Sequence, residues 1–109
     1  RKQVQQRSHV VSFGRWSFDI PLRRLTDQDG RMEVLTRGES ELLAALASHP
    51  GVTLSRDRLM VQISHRAWDP GDRTVDVLVS RLREKIEHDA KKPELITTVR
   101  GEGYILITR

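Results

Sequence analysis

Between Asp72 and Ile86 the apolar residues Val75, Leu78, Val79, Leu82 and Ile86 recur at intervals of three and four. That spacing gathers side chains into one stripe of an α-helix and requires a core for the stripe to lie on. The opposite side carries Arg73, Val77, Ser80, Arg81 and Glu84, with Arg83 towards one edge. Further on, Thr97-Thr-Val99 and Tyr104 flank Arg100-Gly-Glu-Gly103. This second segment reads as a β-hairpin, its glycines permitting a tight reversal. A helix and a hairpin that each present arginine can grip a polyanion at two places.

The remaining chain supplies a platform for that pair. Val10 to Asp19, with Val11, Phe13, Trp16 and Phe18, reads as a strand disturbed near Gly14. Leu22–Thr26 and Arg31–Leu35 read as two short strands joined by Asp27-Gln-Asp-Gly30, so this block is a small antiparallel sheet in need of a covering layer. Thr36-Arg-Gly-Glu39 matches a capping box, in which each end residue satisfies the other's backbone amide. Leu42, Leu43, Leu46 and Ala47 continue it as a helical stripe, and His49-Pro-Gly51 stops it. Ser55-Arg-Asp-Arg58 opens a second helix with Leu59, Met60 and Ile63 facing inward, and Asp69-Pro-Gly-Asp72 punctuates the chain before the third. The last strands run from Glu94 to Val99 and from Tyr104 to Thr108. Residues 10–109 form one domain in this reading. Residues 1–9 are the remnant of an interdomain linker, because the polar opening Arg1–Ser8 lacks an initiating methionine and suggests a partner domain upstream.

The net charge is +4, and arginine supplies 15 of the 19 basic residues. Arginine's planar fork suits phosphate and guanine edges better than lysine's point charge. With no cysteine, disulfides, cysteine–zinc sites and thiol chemistry are excluded. No apolar run is long enough to span a bilayer and no signal-peptide core is present, so a cytoplasmic location without membrane contact is expected. His9, His49, His65 and His88 have no metal-ligand spacing, Ser55 is better explained as a helix cap than as a nucleophile, and Gly101-Glu-Gly103 is too short for a phosphate loop. An enzyme is not expected, nor is a cofactor or a metal.

On a duplex, Arg81 is the leading candidate for base reading. Val77, flanked by Arg73 and Arg81 four residues away on either side, is either a surface valine or a contact to a thymine methyl. Arg73 and Arg83 suit phosphate anchoring, and Ser80 suits base or backbone. Arg100 can enter a narrow minor groove, and Thr98 and Tyr104 can donate to phosphates. Tyr104 has the alternative of a core-edge residue. The plain alternative for the whole face is solvation, with Asp76 pairing with Arg73, Arg83 or Ser80, and Glu102 with Arg100. A winged helix that binds protein rather than DNA is the second functional reading.

These segments together resemble a known family. Leu35-Thr-Arg-Gly-Glu-Ser-Glu-Leu-Leu43, Leu54-Ser-Arg-Asp-Arg-Leu59, Asp72-Arg-Thr-Val-Asp-Val77, Ser80-Arg-Leu-Arg83 and Thr98-Val-Arg-Gly-Glu-Gly-Tyr104 occur in the order found in the carboxy-terminal effector domain of OmpR/PhoB-type response regulators of bacterial two-component systems. The likeness runs from about residue 12 to the end, and residues 59–72 look closer to the OmpR side of that family. It implies an α+β winged helix-turn-helix: an amino-terminal four-stranded antiparallel sheet, three helices and a carboxy-terminal hairpin wing. It also implies an upstream receiver domain phosphorylated on aspartate by a histidine kinase, and head-to-tail homodimers on tandem direct repeats of double-stranded DNA. By motif, Val77, Arg81 and Arg100 fall at base-contacting positions, and Arg73, Ser80, Arg83, Thr98 and Tyr104 at backbone-contacting ones. The connection from Ser64 to Asp72 is similar to a loop that meets RNA polymerase in activators. Trp68 there is either a partner anchor or a ring tucked against the third helix. Ser80 and Leu78 replace a basic and a polar residue of some relatives, so no relative's target sequence transfers to this chain.

Overall fold

The computed structural model describes residues 9–108; the linker reading falls almost wholly on residues 1–8, outside the described residues. Four short strands, β1 (Val10–Phe13), β2 (Trp16–Asp19), β3 (Arg24–Asp27) and β4 (Met32–Glu33), form an antiparallel sheet in sequential order. Three helices follow, α1 (Arg37–Ser48), α2 (Arg56–Ser64) and α3 (Thr74–Ile86), and then a hairpin of β5 (Ile96–Val99) and β6 (Gly103–Leu106). This is the winged helix-turn-helix arrangement expected from the sequence. Among the described residues no helix is long and apolar enough to cross a membrane.

One expectation needs correction. Residues 10–19 are two strands rather than one disturbed strand, turning at Gly14, whose φ is +58°. Phe13 and Trp16 are an odd number of residues apart, so a continuous strand would send them to opposite faces. The turn makes them direct cross-strand partners, and both are buried.

The sheet contributes Phe13, Trp16, Phe18 and Leu25 to a single core, which the helices complete. Helix α1 buries Leu42, Leu43 and Leu46, α2 buries Leu59, Met60 and Ile63, and α3 buries Val75, Val79, Leu82 and Ile86. Leu78 is only partly buried and lies against Gly38, where an added Cβ would stand 3.1 Å from its methyl carbons. Helix α1 begins with the expected capping box: Glu39 N donates to Thr36 Oγ1 (3.2 Å) and Thr36 N to Glu39 Oε1 (3.0 Å). Ser55 caps α2 by accepting from Arg58 N at 3.1 Å.

The carboxy-terminal end of α3 is tied to this body three times. Lys85 Nζ donates to the buried Glu39 carboxylate at 2.6 Å and to Val34 O at 3.0 Å. Trp16 Nε1 donates to Ile86 O at 2.9 Å. The Glu87 carboxylate accepts the amides of Glu94 (2.8 Å), Leu95 (2.9 Å) and Ile96 (2.8 Å), which aims the chain into β5. The hairpin is then joined to the helices by a backbone bridge, Leu54 N to Tyr104 O at 2.8 Å and Tyr104 N to Leu54 O at 3.0 Å. Gly103 makes that approach feasible: its φ is +149°, and a Cβ there would lie 2.0 Å from Leu54 O.

Candidate nucleic-acid interface

Helix α3 starts at Thr74, after the Asp69–Asp72 punctuation, with Arg73 at its N-cap. Asp72 stays outside it, and its carboxylate accepts the amide of Thr74 at 2.9 Å, supplying the cap that Arg73 at the N-cap position lacks. Asp72 also pairs with Arg66 at 2.9 Å, and its carbonyl accepts Trp68 Nε1 at 3.1 Å. The hydrogen bond from Thr74 is the largest of the effects that lower the Asp72 pKa, with Arg66 adding to it. Trp68 is half-buried, and its own amide donates to Asp57 Oδ1 at 3.2 Å. Of its two expected placements, the ring packs against the core.

From Thr74 onward α3 presents three faces. The first is the core stripe. The second carries Val77, Ser80, Arg81 and Glu84, all exposed, with Arg73 exposed at the helix start. Val77 is 41% exposed and the Arg73 side chain 78%. Among the described residues Arg81 has no ion-pair partner. Arg100 likewise stands exposed beside the β5–β6 turn, which Glu102 N closes on Val99 O at 2.9 Å. No ion pair links Arg100 to Glu102 among the described residues. Two guanidinium groups are therefore free where helix and hairpin meet solvent.

The third face looks towards the hairpin. Asp76 and Arg83, two helical turns apart, share a side of the helix, and Tyr104 of β6 contacts both. The Tyr104 hydroxyl donates to Asp76 Oδ1, which also accepts Arg56 Nε from α2 at 2.8 Å. Arg56 Nη2 donates to the Tyr104 oxygen at 3.3 Å. The Arg56 guanidinium lies 5.0 Å from the Tyr104 ring centre and that of Arg83 lies 5.6 Å from it, within range of a cation–π attraction. Arg83 spends Nε on Ile96 O (2.9 Å) and Nη2 on Thr98 Oγ1 (3.0 Å). Arg73 Nε approaches Asp76 Oδ2 at 3.7 Å. Of the partners expected for Asp76, the structure provides Arg73 and adds Arg56 and Tyr104.

Arg56 escaped the sequence reading, and no local signal pointed to it: its partners lie 20 and 48 residues away. Tyr104 is 5% exposed, the core-edge placement weighed above, with its hydroxyl proton committed to Asp76. Burial works to raise the Asp76 pKa, but hydrogen bonds from Tyr104 and Arg56 and the charges of Arg56 and Arg73 outweigh it, leaving Asp76 below the ordinary carboxylate value. Burial, together with the Asp76 carboxylate, pushes the Tyr104 phenol above its ordinary value. The group is thus an anionic Asp76, a neutral Tyr104 and a ring of arginines.

The chain matches known proteins along most of this architecture. The family model described as "Transcriptional regulatory protein, C terminal" matches residues 30–106. The transcriptional regulatory protein AruR of Pseudomonas aeruginosa is 48% identical over 99 residues, covering 91% of this chain and 41% of that protein. The chain spans about two-fifths of the length of AruR and of the VirG regulatory proteins it also matches. The DNA-binding domain of Klebsiella pneumoniae RstA, solved in complex with the RstA box, superposes with a TM-score of 0.80 at 35% identity, covering 90% of this chain and 96% of that one. DrrB of Thermotoga maritima, an OmpR/PhoB homologue, gives 0.79 at 28% identity, with 97% of this chain and 48% of that one covered. With the sheet, the three helices and the wing in place, the chain belongs to this family, the carboxy-terminal winged-helix effector domains of OmpR/PhoB-type response regulators.

Proposed function

We propose that this domain binds double-stranded DNA sequence-specifically and controls transcription, with α3 in the major groove and the β5–β6 wing in the adjacent minor groove. The observation that carries the reading is a pair of arginines without ion-pair partners among the described residues, Arg81 on the exposed face of α3 and Arg100 on the wing, held on one scaffold similar to a domain that binds its own DNA box. Arg81 suits the bidentate reading of a guanine, and Val77 one turn earlier suits a thymine methyl. Arg100 enters the minor groove, where a narrow groove strengthens the pull on a guanidinium. Arg73 and Ser80 contact the backbone, and Thr98 and the remaining Nη1 of Arg83 reach it from beside the wing. Tyr104 gives its proton to Asp76, so its service to the backbone is chiefly to place those donors. In the whole protein a receiver domain, phosphorylated on aspartate, stands upstream, and pairs of effector domains occupy direct repeats head to tail. The segment from Ser64 to Asp72, with Trp68 at its centre, is the surface offered to RNA polymerase.

Selection of duplexes from a randomised library, at moderate salt with competitor DNA, tests this function. An enriched motif, repeated in one direction at helical-turn spacing, is the expected result; a folded domain that enriches nothing would overturn it in favour of protein binding. Within the motif, Arg81→Ala costs about 1–3 kcal/mol and relaxes preference mainly at one position. Arg73→Ala weakens all duplexes alike and lowers the salt slope by about one phosphate contact. Equal losses at every site for both variants would remove the base-reading role from Arg81.

A further inference from the structure

The exposed faces of α3 and the wing supply contacts, but two grooves can be read together only if the angle between helix and hairpin is held. The backbone bridge at Leu54 and the bond from Gly51 N to Leu106 O (2.9 Å) attach the hairpin to the segment between α1 and α2, and Glu87 holds the entry to β5 at the carboxy-terminal end of α3. Along the rest of α3 the polar ties to the hairpin are made by side chains. Those side chains are Asp76, Tyr104 and Arg56, joined by hydrogen bonds, and Arg83 and Thr98, joined by another; the Arg83 guanidinium 5.6 Å from the Tyr104 ring centre connects the two groups into one set. Its centre is a single carboxylate carrying bonds from two other elements, α2 through Arg56 and β6 through Tyr104. Arg73, the expected phosphate anchor, stands 3.7 Å from the same carboxylate.

An acidic residue beside a DNA-binding face carries an electrostatic cost, since it repels phosphate at the same distances at which arginine attracts it. A bystander aspartate would be a pure loss of affinity. Asp76 is no bystander: its side chain is 22% exposed, and it bonds Arg56 of α2 and Tyr104 of the wing and approaches Arg73 at the start of α3. Arg83 completes the arrangement from the other end, with its two bonds on β5.

Resting on the DNA-binding function above, we propose that Asp76 is the positioning residue that makes this domain selective: with Tyr104 and Arg83 it locks the wing to α3, so that Arg81 and Arg100 read their grooves as one rigid unit. Asp76 gives up general affinity for DNA and gains discrimination. Arg83 is then first a bracket between helix and wing and only second a phosphate contact.

The test compares binding of this chain to its selected duplex and to a scrambled duplex of equal length, at several salt concentrations. Asp76→Asn keeps the shape and removes the charge. It is expected to bind the scrambled duplex as tightly as wild type or more tightly, while the ratio between the two duplexes falls roughly tenfold, the scale of one lost specific contact. If the ratio holds while both affinities rise together, Asp76 is a mere surface charge and the proposal fails. Tyr104→Phe removes one hydroxyl and no charge, and keeps the test valid should Asp76→Asn fold poorly. In that background Arg100→Ala is expected to cost markedly less than it does in wild type, with the salt slope unchanged and melting of the variant confirming its fold. Were Tyr104 only a core residue, melting would drop but Arg100→Ala would cost the same factor in both backgrounds, overturning the bracket. A wild-type domain with no preferred duplex at all would instead overturn the function on which the bracket rests.

Discussion

The two ends of α3 are held by polar groups of different character. At the carboxy-terminal end Glu39 is 2% exposed, bonded at 2.6 Å to Lys85 and closed into the capping box of α1. Its partners belong to the body of the domain, and none lies on the wing. At the amino-terminal end Asp76 is 22% exposed and shares its oxygens among Arg56, Tyr104 and Arg73, groups that border the exposed face. The first arrangement joins α3 to α1 and touches no group of the wing, so its service is to stability. The second is open on the side from which DNA would approach, and it joins elements whose mutual angle matters for reading two grooves. A pair tied to the body and a cluster tied to the wing, on one helix, thus divide anchoring from alignment.

The comparison can be broken most severely at the wing. Gly103→Ala sets a methyl against Leu54 O, where the Cβ would stand 2.0 Å away. A clash with backbone in a conformation that side chains rarely adopt is expected to cost about 4 kcal/mol or more, seen in thermal melting as loss of most of the folded population. Next comes the closed anchor. Lys85→Met leaves the Glu39 carboxylate without its cation, and at about 2–3 kcal/mol, allowing for the partial exposure of Lys85, the melting temperature falls by roughly 15 °C. Below that melting point its preference between duplexes should match wild type; a changed preference would erase the division between anchoring and alignment.

The smallest effect is the response to acid. Glu39 and Asp76 both titrate below their ordinary values of 4.5 and 3.8, so the folded state favours their charged forms. Their contribution is fully present above those values and is lost as the pH falls through the depressed ones. Melting temperature is therefore expected to decline below about pH 4. Asp76→Asn should make that decline shallower while leaving the part due to Glu39 in place, and an unchanged acid limb would show that Asp76 does not stabilise the fold in its charged form.

What was legible beforehand was local. Thr36 and Glu39 are three residues apart, and a capping box is decided within one helical turn. Ser55 before α2, the stripe Val75, Val79, Leu82 and Ile86, and the Gly101–Gly103 reversal are equally short-range. The turn at Gly14 was missed, although the odd spacing of Phe13 and Trp16 carried a signal for it, because cross-strand partners must share a face. Much of the interface was legible only as composition. Arg73, Arg81, Arg83 and Arg100 look alike in a sequence, yet among the described residues Arg81 and Arg100 have no ion-pair partner while Arg83 is spent on Ile96 and Thr98.

The sequence by itself determined where the helices and, apart from the break between β1 and β2, the strands begin and end to within a few residues, which side of each helix is apolar, and that arginine predominates on α3 and the wing. Those properties depend on neighbours one to four residues away, where chain geometry leaves few alternatives. Only the tertiary structure decided which charges are free. Asp76 meets Tyr104 across 28 residues and Glu39 meets Lys85 across 46, and at such separations the partner of a charged side chain is chosen by the packing of the core, which brings together residues that no spacing rule connects.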